Sequence, residues 1–220
     1  MMDHAAARHV PVEVEEQHAL GELPATVDER AAHRFTLLIR AAKLISSQGE
    51  FLCVIRDLSA TGISLRLFHP LPVGSRMALE FQTGDTHEVE RVWAREGEAG
   101  FRFCDDIDIE AAIAEIGAYP KRKLRLRIEM PAQVCSHGRT TNALVHNISQ
   151  QGAKIESEEV FACDQLLRLK AEGLPEVAAK IRWSRNGCYG LVFENTFSLR
   201  ELAQLAVALQ CPSLLDGACA

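Results

Sequence analysis

Apolar and polar residues alternate along much of the chain with a period of two. The run Gly62-Ile63-Ser64-Leu65-Arg66-Leu67 shows it plainly: Ile63, Leu65 and Leu67 fall on one side, Ser64 and Arg66 on the other. That period marks a half-buried strand. Read this way, the first half predicts strands at Phe35–Ile45, Glu50–Asp57, Ile63–Phe68, Arg76–Phe81, Glu88–Arg95 and Gly100–Cys104. The second half predicts Leu126–Cys135, Thr141–Asn147, Ala153–Glu156, Gln165–Lys170, Glu176–Ser184 and Gly190–Glu194. Ser47-Gln48-Gly49, Leu71-Pro72-Val73-Gly74 and Asn186-Gly187 supply turn chemistry between them. A helical pattern follows the last strand of each half. In the first it covers about Ile107–Ala118, with Asp105 and Asp106 as cap candidates. The acids of this run (Asp105, Asp106, Asp108, Glu110) favour a helix N-terminus and need no cation. In the second, Ser198-Leu-Arg-Glu201 is a capping box ahead of Leu202, Leu205, Ala206 and Leu209.

The two halves repeat each other at an offset of 90 residues. Both tryptophans obey it (Trp93/Trp183), as do Ser59/Ser149, Gly62/Gly152, Leu79/Leu169, Arg95/Arg185, Gly97/Gly187, Gly100/Gly190 and Phe103/Phe193. The register holds without a gap from Asp57 to Phe103. A period this long lets each copy hold its own core, so the chain is a tandem pair and not a solenoid. Six short strands per copy suggest a small barrel, whose closure removes exposed sheet edges. The expected fold is mainly β: two tandem six-stranded antiparallel barrels, each followed by a C-terminal helix. The expected divisions are a tail at 1–29, a first domain at 30–119 and a second at 120–220.

Charge sharpens these divisions. The 220 residues carry a net charge of −6, with 47% apolar and 25% charged residues, ordinary values for a soluble globular chain. Residues 1–29 hold seven acids and one arginine, which reads as a flexible acidic tail. The first copy is net negative and the second net positive, and bases concentrate in Lys121-Arg122-Lys123-Leu124-Arg125-Leu126-Arg127. The overall acidity and the low aromatic content of 6% disfavour a general nucleic-acid binder, so no DNA partner is expected. No run of 18 apolar residues stands in the sequence, and the first residues lack the apolar core of a secretory signal. The expectation is a cytoplasmic protein without membrane insertion.

The seven cysteines include no C-x-x-C, and the eight histidines show no paired-ligand spacing. The cysteines therefore read as small buried apolar residues in a reducing compartment, not as a zinc or disulfide framework. No metal or cofactor is expected. Trp93 and Trp183 read as core or inter-domain packing rather than base-stacking platforms.

Two short motifs carry the candidate chemistry. Arg30-Ala-Ala-His-Arg34 is an R-x-x-x-R, which alone is weak; Arg91-Val-Trp-Ala-Arg95 matches it too and reads as a strand with solvated arginines. Asp57-Leu-Ser59-Ala-Thr-Gly62 is a D-x-S-x-x-G, repeated as Asn147-Ile-Ser149-Gln-Gln-Gly152. The two motifs in that order, at the mouth of a small barrel, are far more specific than either alone. Together they resemble the PilZ family, which binds cyclic di-GMP, and the resemblance covers nearly the whole chain beyond the tail. It implies Arg30, Arg34, Asp57, Ser59 and Gly62 as ligand residues in the first copy. The residue types suit a ligand with two phosphates and two guanines. An arginine fork bonds guanine O6 and N7 or a phosphate, a carboxylate accepts from the guanine N–H edge, and glycine permits positive φ and close backbone approach. His33 reads as exposed, and Glu29 stands where many members carry another base.

The second copy matches less completely. Arg125 aligns with Arg34, Pro131 follows at the family's usual proline position, and Lys121 with Arg122 beside it stands at the first arginine. Asn147, Ser149 and Gly152 complete the set. Lysine holds phosphate but lacks the bidentate fork that reads guanine. The resemblance implies a receptor that changes conformation on binding the second messenger and signals to a protein partner in motility, adhesion or exopolysaccharide control. The alternative is a PilZ-like adaptor that docks proteins without nucleotide. No nucleophile elbow, P-loop or paired-carboxylate site supports an enzyme.

Overall fold

A computed structural model describes residues 35–113 and 124–216. In the first span lie β1 (Phe35–Ser46), β2 (Gly49–Leu58), β3 (Gly62–Leu67), β4 (Arg76–Glu80), β5 (Thr86–Arg95) and β6 (Glu98–Phe103), then the short helix α1 (Ile109–Ile113). Every pairing is antiparallel, and β4 returns to β1 to close a six-stranded barrel in the order β1-β2-β3-β6-β5-β4. The alternation is realised as expected: Ile63, Leu65 and Leu67 are buried and Arg66 is exposed. Leu44, Ile55, Leu58, Leu65, Leu79, Phe81 and Phe103 fill the interior. Asp108 caps α1 in place of Asp105 or Asp106, because its carboxylate accepts from Ala111 N–H (3.2 Å). The expected helix beyond residue 113 lies outside the described residues.

The second span repeats the plan with β8 (Met130–Ser136), β9 (Arg139–Ser149), β10 (Gly152–Glu156), β11 (Leu166–Ala171), β12 (Leu174–Arg185) and β13 (Cys188–Phe193), closed by pairing of β9 with β10. The strand expected over Leu126–Cys135 is divided. Its first part, β7 (Arg125–Leu126), lies on β9 ahead of β8. The break has a reason: Arg127 N–H donates to the Glu50 carboxylate of the first barrel (2.9 Å), not to a neighbouring strand. β1 has a register shift at the corresponding place, between Thr36 and Arg40. The helix α2 (Leu199–Gln210) begins in the expected capping box, followed by α3 (Ser213–Asp216). Its hydrogen bonds to Ser198 hold the Glu201 carboxyl below its ordinary pKa. Its fully buried face is Leu202, Ala203, Ala206 and Val207, with Leu205 and Leu209 at the margin.

The two barrels meet through the β1–β2 hairpin. Residues 51–55 (Phe-Leu-Cys-Val-Ile) are buried without alternation, as a strand covered on both faces must be. One cover is α2, where Val207 and Cys211 pack on Phe51. The Gln210 side chain bridges the backbone of Glu50, accepting from its N–H (2.9 Å) and donating to its carbonyl (2.8 Å). Beside it Lys43, 3% exposed, contacts the carboxylates of Glu50 and Glu80 at 2.9 Å each and donates to the Arg125 carbonyl (3.2 Å). Two acids and a carbonyl compensate the burial of one ammonium, as a buried charge requires.

The cysteine expectation needs correction. Cys53 and Cys211 are buried, but Cys104, Cys135 and Cys163 are exposed and Cys188 is half-buried. The exposed ones stand on outward-facing strand positions or in loops, where strand alternation sets exposure whatever the residue type. Burial pushes the Cys53 thiol up to about 12, only partly opposed by its hydrogen bonding with the backbone of Ala42 and Leu44.

Candidate functional site

The second motif is a structural unit in both barrels. At the end of β2 the pairing with β3 shifts between Ile55 and Asp57, so Arg56 forms a bulge. Asp57 follows, half-buried, opposite Ser64. Ser64 Oγ donates to Asp57 Oδ2 (2.8 Å) and accepts from Asp57 N–H (3.2 Å). The chain then turns through Ser59. This serine is 6% exposed, and its hydroxyl accepts from Gly62 N–H (3.0 Å) and donates to the Gly62 carbonyl (3.1 Å). In the first barrel its hydroxyl is thus committed to closing the turn.

Space, and not backbone angle, favours glycine at Gly62. It is absent from the positive-φ residues, which corrects that part of the sequence reading. A Cβ there would stand 3.1 Å from the Phe101 carbonyl oxygen, and one at Gly152 would stand 2.0 Å from that of Leu191. The turn is also tied down from outside. Phe103 N–H donates to Thr61 O and Ile107 N–H to Ala60 O, both at 3.0 Å; Phe193 to Gln151 and Phe197 to Gln150, at 2.9 Å, repeat these bonds in the second barrel. Ser149 Oγ donates to Gly152 O (3.0 Å) as Ser59 does to Gly62.

In the first barrel the turn borders a cavity of about 380 Å³, whose lining includes Arg56, Asp57, Ser59, Gly62, Ser64, Trp93 and Arg102. Trp93 and Trp183 are not core residues. They are 38% and 39% exposed, because register shifts between Arg91 and Trp93 and between Ile181 and Trp183 turn them outward. Arg102 reaches across to Glu90 (2.8 Å) and is otherwise open to solvent. The sequence reading missed Arg56, Ser64 and Arg102. Arg102 was within reach of pattern reading, since it alternates with buried Phe101 and Phe103.

Of the other candidates, Arg30, Arg34, Lys121 and Arg122 lie outside the described residues. Arg34 immediately precedes Phe35, which pairs with Leu58. In the second barrel Leu126 pairs with Ile148, and exposed Arg125 stands opposite Ser149. Thus Arg125 and Arg34 occupy the same place in their copies' sequences. Asn147 is half-buried and pairs with Lys154. Where the first barrel has Arg56 and Arg102, the second has His146 and Val192.

The PilZ domain profile matches residues 28–119 and again 120–209. Among solved structures the chain is similar to the Borreliella burgdorferi PlzA protein in complex with c-di-GMP. That match has 13% identity and a TM-score of 0.36, over 78% of this chain and 88% of that one. It is similar also to the Bacillus subtilis inhibitor of motility MotI/DgrA, with 13% identity and a TM-score of 0.37, over 80% of this chain and 99% of that one. For Escherichia coli YcgR in complex with c-di-GMP the values are 10% identity and 0.33, over 81% and 87%. No curated protein matches the sequence. Among the described residues no helix is long and apolar enough to cross a membrane.

Proposed function

The chain belongs to the PilZ domain family, and from that membership we propose that it is a receptor for cyclic di-GMP whose principal site is in the first barrel. Arg30 and Arg34 hold phosphate and guanine through their forks, and the Asp57 carboxylate accepts from a guanine N–H edge. The Ser64 hydroxyl, donating to Oδ2, orients that carboxylate. Ser59 and Gly62 act through the shape of the turn, which presents Asp57 and lets the ligand approach the backbone.

One observation carries the reading. The first barrel brings Asp57, the Ser59–Gly62 turn and the cations Arg56 and Arg102 to one cavity, next to the strand that begins directly after Arg34. The second barrel keeps the turn but has His146 and Val192 for the two cations and Lys121 for the first arginine. Its part is mechanical. β1 follows Arg34 at one end and at the other holds Lys43, which bonds the carbonyl of Arg125. A ligand that draws on Arg34 thus acts on the strand that fastens the second barrel.

On this reading the protein is a cytoplasmic effector rather than an enzyme. Its output is contact with a protein partner rather than with DNA, in keeping with the acidic net charge. Equilibrium dialysis of the intact chain against cyclic di-GMP tests it. Saturable binding that excess GTP does not displace supports the receptor; absence of binding up to millimolar ligand leaves the adaptor reading in its place.

A further inference from the structure

We propose that the outer face of the second barrel carries a binding site for a divalent ion of the zinc class, built from His146, Glu156 and Cys188. The three come from neighbouring strands. Glu156 on β10 and Cys188 on β13 are directly paired, and His146 occupies the β9 position skipped by the register shift opposite Lys154 and Ile155. Their donor atoms all lie within 4.8 Å of one another, and His146 Nε2 is 2.8 Å from Glu156 Oε2. A tetrahedral zinc site, with bonds of about 2.0 Å to nitrogen and about 2.3 Å to sulfur, needs donors roughly 3.3–3.8 Å apart. Side-chain rotation on an outer face covers that difference.

The donor set fixes the class of ion. One thiolate and one imidazole select a borderline-soft metal over magnesium or calcium. With the carboxylate they make three protein ligands, leaving a fourth position for water or for a ligand from a partner. The surroundings fit as well. Glu129 Oε1 stands 3.4 Å from His146 Nδ1, on the far side of the ring. An outer carboxylate on the other ring nitrogen fixes the tautomer that offers Nε2 to a metal. A bound ion takes the place of the direct contact between His146 Nε2 and Glu156 Oε2. The Cys188 sulfur binds it as the thiolate, and its proton goes to solvent.

The fold does not demand this trio. The same positions in the first barrel are Arg56, Arg66 and Glu98, two of which border the candidate nucleotide cavity. The second copy has exchanged two cations and an acid for three metal donors on the matching face. The inference stands apart from nucleotide binding and holds whether or not the first barrel binds cyclic di-GMP.

Cobalt(II) titration of the reduced full-length protein is the test, with zinc displacement as a second reading. The expected result is one equivalent of tetrahedral cobalt, seen as visible d–d bands and a near-ultraviolet thiolate charge-transfer band, bleached by stoichiometric zinc. Cys188→Ser removes the charge-transfer band, His146→Ala abolishes stoichiometric binding, and Cys135→Ser changes neither. Glu129→Gln retains the bands but weakens zinc binding about 10–100-fold. Far-UV circular dichroism verifies that each variant is folded. No thiolate band at millimolar cobalt, or a band that survives in folded Cys188→Ser, overturns the proposal.

Discussion

The indole of Trp93 lies across Gly100, its cross-strand partner, so closely that a Cβ on the glycine would stand 2.0 Å from the ring nitrogen. Trp183 covers Gly190 in the same way, at 1.9 Å. A glycine inside a strand leaves its backbone bare, and an aromatic ring from the next strand covers it. Each half of the pair explains the other's recurrence at the 90-residue offset. The Arg95 guanidinium, 5.3 Å from the Trp93 ring, holds it further. Gly100→Ala therefore expels the Trp93 ring into solvent. Its emission shifts to the red, and urea unfolding shows a loss of about 1–3 kcal/mol. Gly190→Ala has the same effect on Trp183, but only Gly100→Ala alters the rim of the candidate nucleotide cavity. Unchanged emission in both variants contradicts this account of the rings.

Ser59 and Ser149 act as turn closers. Ser149→Ala is expected to cost about 0.5–1.5 kcal/mol in chemical denaturation, the usual worth of a hydrogen bond. Ser59→Ala costs more, because two bonds to Gly62 depend on that hydroxyl. An unchanged denaturation midpoint in both variants would show that the turn holds its shape unaided.

Lys43 links three groups at the barrel junction. Lys43→Met leaves Glu50 and Glu80 facing each other with their shared cation gone and the Arg125 carbonyl without its donor. Breaking a buried ion pair by removing one partner costs about 3–5 kcal/mol. A denaturation midpoint unchanged from wild type would contradict the clamp.

His69 makes stability fall in mild acid. Its ring is 6% exposed and packs against Phe51, and Nε2 has no hydrogen-bond partner among the described residues. Burial holds its pKa below the ordinary 6.5, only partly offset by the Pro70 carbonyl. The unfolded chain therefore takes up a proton near pH 6.5 that the folded chain refuses. Its contribution to stability is complete above that pH and declines as the pH drops below it. Thermal melts across this range check the slope, and in His69→Gln it is shallower. An equal slope in the variant assigns the acid sensitivity elsewhere.

What could be read from the sequence was what is local. The turn from Asp57 to Gly62 is six residues long and closes on itself, so its motif contains its own structure. Alternation and turn residues located most strands, since a strand's two faces are written two residues apart, but the strand expected over Leu126–Cys135 is divided. It failed at the bulges. One extra residue before Trp93 reverses the face on which the ring emerges, and no pattern of apolar residues records that insertion. The trio His146, Glu156 and Cys188 was invisible for a related reason: its members are neighbours through β-sheet register and not through sequence spacing. The unbroken burial of residues 51–55 is present in the sequence as an apolar run, but its cause, a helix from the other copy, is not.

The placement of the principal site in the first barrel is tested most directly by calorimetric titration of cyclic di-GMP into wild type, Arg34→Ala, Asp57→Ala and Arg125→Ala. The account predicts saturable heat in wild type, its loss in Arg34→Ala and Asp57→Ala, and its retention in Arg125→Ala. No heat at millimolar ligand in wild type, or binding abolished by Arg125→Ala and preserved in Asp57→Ala, would contradict it.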